Sequence, residues 1–200
     1  MRNVLVLVAL VCAGFAVADE RPVMTPMPAA ASGREPPSQR ALVDARAKLN
    51  DRYRELLFRA RSSAAADLAA ETFLEAAIAE EDRALKWLLM AEARRMGAAS
   101  GNALVISRAI TLASATYDFD ALDMEYRSLA EIPLRGVSPT RAVQVAEAAE
   151  RVATRAEVDG RVSLALTALD LAIRAWQRCG AKEACRQAML RHAEIAAAAK

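Results

Sequence analysis

From Ser38 onward the chain is punctuated at short, regular intervals by residues that start and stop helices. Ser38, Ser62, Asp82, Asn102, Asp120 and Ser138 each precede an apolar-periodic run. A short side-chain oxygen there takes up backbone N–H groups that a first helical turn leaves without partners. Pro139 follows Ser138 at the position where proline costs no hydrogen bond. Gly101 and Gly180 sit where helices need a left-handed residue to stop, and Asp159-Gly160 and Pro133 mark two further breaks. The spacing predicts helices over about 38–61, 62–79, 82–100, 102–117, 120–132, 139–157, 162–179 and from 182 into the Ala-rich end.

Periodicity inside these segments agrees. Leu42, Ala45, Leu49, Tyr53, Leu56 and Ala60 recur every three or four residues and share one helical face. The seventh helix carries two apolar stripes. Leu169, Ile173 and Trp176 lie on one, with Trp176 expected between helices. Leu164, Ala168, Leu171 and Ala175 lie on the other, which predicts an inner position in a stack. Trp87 is expected to be core in the third helix. No stretch alternates apolar and polar β-branched residues. Alanine supplies 48 of 200 residues, which favours helix and close helix approach. The expected fold is all-α, with seven to eight helices in antiparallel hairpins over residues 38–200.

The N-terminus reads as an address. Met1-Arg2 is followed by an apolar Val4–Val17 stretch and by Ala16-Val17-Ala18. These are the parts of a cleavable secretory signal, and the stretch is shorter than the ~20 residues of a bilayer span. Cleavage after Ala18 is expected, with an uncleaved anchor as the alternative. Val11 before Cys12 argues against a lipoprotein signal. No other segment is long and apolar enough to span. Residues 19–37 hold five of the seven prolines and are expected to form an extended linker. The localisation that follows is exported, periplasmic or extracellular.

With the signal removed, Cys179 and Cys185 are the only cysteines. An oxidising compartment and a short helix–turn–helix separation predict a disulfide between them. The spacing C-x5-C-x6-H with His192, the single histidine, matches no common zinc pattern. Asp118, Asp120, Asp123 and Glu125 lack the glycine and twelfth-position glutamate of a calcium loop. No nucleophile elbow and no phosphate loop is present. No metal, cofactor or catalytic residue is therefore assigned.

Charge patterning carries more information. There are 27 Lys or Arg and 25 Asp or Glu, so the chain lacks the basic excess that nucleic-acid binding requires. Residues 39–61 carry seven bases against three acids, net +4, and residues 62–82 carry six acids and no base. Complementary fields would let the first two helices select one another as neighbours, while a basic first helix docked on an acidic lipid or polymer is the rival reading.

The breaks also repeat. Asp82 and Gly160 stand 78 residues apart, and Gly101 and Gly180 stand 79 apart. Two units of about 39 residues would produce this, a length in the range of helical-hairpin repeats. The segments Leu88–Asn102 (LLMAEARRMGAASGN) and Ala165–Ala175 (ALTALDLAIRA) resemble tetratricopeptide-like helical hairpins and the Ala-rich helical segments of exported bacterial proteins. The resemblance implies a short α-solenoid that binds proteins rather than one that performs chemistry. The expected function is an exported, non-enzymatic scaffold for a protein or peptide partner in the cell envelope. The alternatives are an envelope enzyme or small-molecule binder with a carboxylate/Arg site between helices, and a structural module of an envelope assembly.

Overall fold

Every helix of the structure starts or stops within a few residues of the sequence punctuation. The structure is a computed structural model that describes residues 34–199. The expected signal, residues 1–18, and most of the expected linker lie outside the described residues. The helices are α1 (Gln39–Arg59), α2 (Ser63–Ala79), α3 (Arg83–Ser100), α4 (Ala103–Thr116), α5 (Ala121–Ala130), α6 (Pro139–Val158), α7 (Val162–Cys179) and α8 (Lys182–Ala198). A short 3-10 turn, Leu134–Gly136, lies between α5 and α6, and there is no strand among the described residues.

The caps work as their chemistry requires. The side chains of Ser38, Ser62, Asp82, Asn102, Asp120 and Ser138 each accept a first-turn backbone N–H. Three helices end in the same left-handed closure. Gly101 (φ 75°) donates to the Ala98 carbonyl while Asn102 donates to Gly97. Gly160 (φ 69°) and Gly180 (φ 76°) repeat the pattern on α6 and α7.

Short connections fold α3 back on α2, α7 back on α6 and α8 back on α7. The α2–α3 and α6–α7 interfaces are the most extensive in the molecule. They are built largely from alanine. Ala66, Ala69, Ala70 and Ala77 of α2, and Ala142, Ala146, Ala149, Ala153 and Ala156 of α6, are buried. Two apolar clusters result. One gathers α1, α2 and α3, the other α5, α6, α7 and α8, and α4 contributes to both. Val105, Ala109 and Ala113 of α4 face the first cluster, and Ile106 and Ile110 face the second. The near-continuous apolar run of α4 is the sequence signal for this central position.

Leu169 and Trp176 are buried as expected, and Ile173 is half-buried on the edge of their stripe. Trp176 donates its indole N–H to Glu150 of α6 at 2.8 Å. The second α7 stripe is also buried at Ala168, Leu171 and Ala175. Trp87 is half-buried and meets Tyr117 and Phe119 edge-on at 5.0 and 5.5 Å between ring centres.

Three features depart from expectation. First, α1 lies chiefly against α3 and only lightly against α2. Its bases meet acids of the α2–α3 turn and of α3: Lys48 with Asp82 (2.6 Å), Arg52 with Glu80 (3.1 Å) and Arg46 with Glu92 (2.8 Å). Second, the end of the expected linker is held by the helices. The Arg34 guanidinium donates to the Ser114 carbonyl and pairs with Asp118, and Asp118 N–H donates to the Arg34 carbonyl. Third, Cys179 and Cys185 are free thiols outside bonding distance, so the expected disulfide is not formed. Cys179 Sγ turns back to the Trp176 carbonyl at 3.3 Å, whereas Cys185 Sγ is directed to the Ile173 carbonyl at 4.0 Å. The two thiols are thus directed to carbonyls one turn apart on α7.

Candidate functional site

A carboxylate site between helices requires acids left available to a ligand, and the buried and half-buried acids between these helices are already bonded. Glu92 of α3, 7% exposed, accepts Arg46 of α1 and Arg95 of its own helix, both at 2.8 Å. Asp67 of α2 accepts Asn102 Nδ2 at 2.7 Å and Arg141 of α6 at 2.8 Å. Glu125 of α5, also 7% exposed, accepts Ser107 Oγ of α4 at 2.6 Å and lies 3.6 Å from Arg155 of α6. Each of these acids ties two or more elements together. A buried charge is tolerated only when so matched, and removing one partner would leave the other stranded.

The acids singled out in the sequence divide in the same manner. Asp120 caps α5 and receives both terminal nitrogens of Arg161, at 2.8 and 2.7 Å. Hydrogen bonds from Arg161 and from the Asp123 N–H hold the Asp120 carboxyl below its ordinary pKa. Asp123 pairs with Arg127 one turn on. His192 lies 3.4 Å from Asp170 across α7 and α8, apart from both thiol acceptors. No three His, Cys, Asp or Glu side chains gather as a metal site among the described residues.

Two of the spaces between helices lack any lining acid. The first is a small, partly open pocket of about 20 Å³ among α3, α4 and α5, lined by Trp87, Met90, Ile110 and Met124. It is sized for one water and no larger ligand. Arg94 reaches over it and donates to Ser128 Oγ at 2.9 Å. Burial lowers the Arg94 pKa, with the nearby Glu131 opposing, and a guanidinium remains charged regardless.

The second is an open groove of about 660 Å³ between the 3-10 turn and α7, a size typical of ligand sites. Pro133 cannot continue α5, so the chain leaves the helix there and curls through Leu134–Gly136 before Ser138 restarts it. This turn forms one wall, and the C-terminal half of α7 forms the other. The floor is apolar, with Ile132 (4% exposed) and Leu171 (2% exposed) recessed beneath the rim.

Three arginines stand on this groove, Arg135, Arg174 and Arg178, and no acid lines it. Arg178 Nε donates to the Leu134 carbonyl at 3.1 Å, and its Nη2 to the Arg135 carbonyl at 3.5 Å. It thereby pins the turn to α7. Arg174 uses only Nε internally, on the Asp170 carbonyl at 3.3 Å, which leaves its terminal nitrogens to the groove. None of the three is paired with a carboxylate among the described residues. The other large grooves differ. The α1–α2 groove holds Asp51 and Glu55 beside its arginines, and the α7–α8 groove holds Glu157 and Glu194 beside Arg191.

Sequence reasoning did not single out these arginines, because Arg135 lies about 40 residues from Arg174 and Arg178 and only tertiary folding gathers them. A local signal existed in Pro133-Leu134-Arg135-Gly136, where a break carries an apolar residue and a base rather than the usual polar turn residues.

Comparison with family models, with curated proteins and with solved structures finds no match for this chain.

Proposed function

We propose that this chain is an exported, non-enzymatic helical scaffold that binds a protein or peptide partner in the cell envelope. Its hairpins are stacked as a short tetratricopeptide-like α-solenoid. Export rests on the basic, apolar and Ala-x-Ala parts of residues 1–18. The observation that carries the binding role is the contrast in how charge is used. Carboxylates at the buried Glu92 and Glu125 and the half-buried Asp67 are committed to joining helices, while the concave groove presents guanidinium groups with no internal carboxylate. Unmatched charge beside accessible apolar side chains, Ala130, Pro133 and Leu134, is the composition of a recognition surface rather than of a core.

The rival reading, an enzyme or small-molecule binder using a carboxylate/Arg site between helices, is less well supported. Its carboxylates would have to abandon the pairs that fix neighbouring helices.

Site-specific photocrosslinking in the native envelope tests the proposal. Benzoylphenylalanine at Arg174 is expected to give a discrete adduct with another polypeptide. Adducts absent there and at surface positions on each of the eight helices would contradict it.

A further inference from the structure

We propose that the groove between the Leu134–Gly136 turn and α7 is a recognition site for an extended acidic peptide segment. This deepens the scaffold reading and rests on it. Carboxylates of the segment pair with Arg135 and Arg174, and an apolar side chain between them packs on Pro133 and Leu134 of the turn.

Four observations lead to that ligand. The charge lining the groove is of one sign, in a chain whose formal net charge is only +2. The bases are all arginine, whose planar fork matches a carboxylate with two parallel hydrogen bonds. Arg178 holds the turn wall against α7 through two backbone carbonyls, so that wall is fixed before a ligand arrives. This limits the ordering cost of binding. The groove also offers accessible apolar surface at Ala130, Pro133 and Leu134, above the buried Ile132 and Leu171.

The concave shape and the apolar turn wall separate a peptide from other anions. A flat lipid surface would reach the arginines without entering the groove, whereas a peptide side chain can project between them onto Pro133 and Leu134. Nucleic acid would call for aromatic rings on which bases stack, and no Phe, Tyr or Trp lines the groove. A small inorganic anion would leave Pro133 and Leu134 uncovered.

The test is selection of random dodecapeptides displayed on phage against the immobilised whole chain, in parallel with its R135E/R174E variant. Both substitutions sit on exposed side chains, so the variant is expected to keep its helical circular dichroism. Arg178 is left intact because it secures the turn. Peptides recovered on the unaltered chain are expected to be enriched in Asp and Glu flanking a Leu, Ile or Met. Their synthetic forms are expected to bind the variant at least about tenfold more weakly and to lose affinity between about 0.15 and 1 M salt as screening shortens. R40E, on the exposed first turn of α1, is expected to bind them as the unaltered chain does.

Peptides without acidic enrichment that bind both proteins equally would overturn the groove assignment and leave the scaffold reading standing. Recovery of no peptide would overturn the groove assignment too, and absence of crosslinks in the envelope would then remove the scaffold reading as well. Binding of anionic phosphatidylglycerol vesicles that R135E/R174E abolishes, without peptide binding, would replace the peptide with a membrane surface.

Discussion

Gly101 and Gly160 allow the cost of a left-handed backbone to be separated from the cost of a close approach. Both close a helix with the same pair of backbone hydrogen bonds at φ of 75° and 69°. They differ in what a Cβ would meet. At Gly160 nothing lies within 4 Å, whereas at Gly101 the Cβ would sit 3.0 Å from Val137 Cγ2 and 3.3 Å from Cγ1. Val137 is itself buried, 6% exposed, in the cluster beneath the 3-10 turn. Gly160→Ala carries the left-handed cost of ~1–2 kcal/mol, part of which is offset by ~0.4–1 kcal/mol from a stiffer unfolded chain. A net loss of about 1 kcal/mol is expected. Gly101→Ala carries the same loss plus the crowding of Val137, for which overpacking adds ~1–3 kcal/mol. Its total is about 2–4 kcal/mol, or about 4–16 °C in Tm for a domain of this size. Urea unfolding followed by circular dichroism measures both. The double variant Gly101→Ala/Val137→Ala is expected to be less destabilised than the sum of its parts. Equal costs for Gly101→Ala and Gly160→Ala, or strict additivity with Val137→Ala, would refute the close approach.

Other perturbations separate the remaining contributions. Leu169→Ala, at a fully buried position, is expected to cost about 2–5 kcal/mol in urea unfolding, and a loss below about 0.5 kcal/mol would mean its stripe is not core. Hydrogen bonds from Lys48 and from the Leu85 N–H hold the Asp82 carboxyl below its ordinary pKa. The stability it contributes is therefore full above the unfolded value of ~3.9 and is lost as pH falls toward the folded one. Asp82→Asn keeps a capping oxygen, so its Tm is expected to fall less steeply than that of the unaltered chain below about pH 4, and an unchanged slope would contradict the Lys48 pairing. Cys179 and Cys185 are expected to be alkylated together in the denatured, unreduced chain, and a bridged peptide joining them would contradict the free thiols.

The helix ends were legible because their determinants are local. A serine, aspartate or asparagine satisfies N–H groups two or three residues ahead, and a glycine closes a helix within two residues, so Ser62, Asp82 and Gly101 carry their information with them. Partner choice was not local. Asp67 belongs to the acidic stretch 62–82 that was expected to face the first helix, yet it bonds Asn102 and Arg141, the latter 74 residues away. Nothing in AEARR marks Glu92, which is buried between two arginines. Gly97 gave no sign that a Cβ there would meet the Asn102 carbonyl at 3.2 Å and Ile106 at 3.1 Å, which marks where α4 crosses close to α3. The cysteines show the converse error. Proximity in sequence across a tight turn was read as proximity of the thiols, but the two are directed to different α7 carbonyls, one turn apart. The groove was hidden for the same reason as the partners, since its arginines come from two elements that meet only in the fold.

Amide hydrogen exchange on the whole chain, with and without a peptide or partner that it retains, tests the binding account most directly. Slowed exchange is expected in residues 131–137 and in the C-terminal half of α7, around Leu171–Arg178, with little change in α1 and α2. Protection confined to α1 and α2 or to α8, with residues 131–137 and 171–178 unaffected, would contradict recognition through the arginine groove.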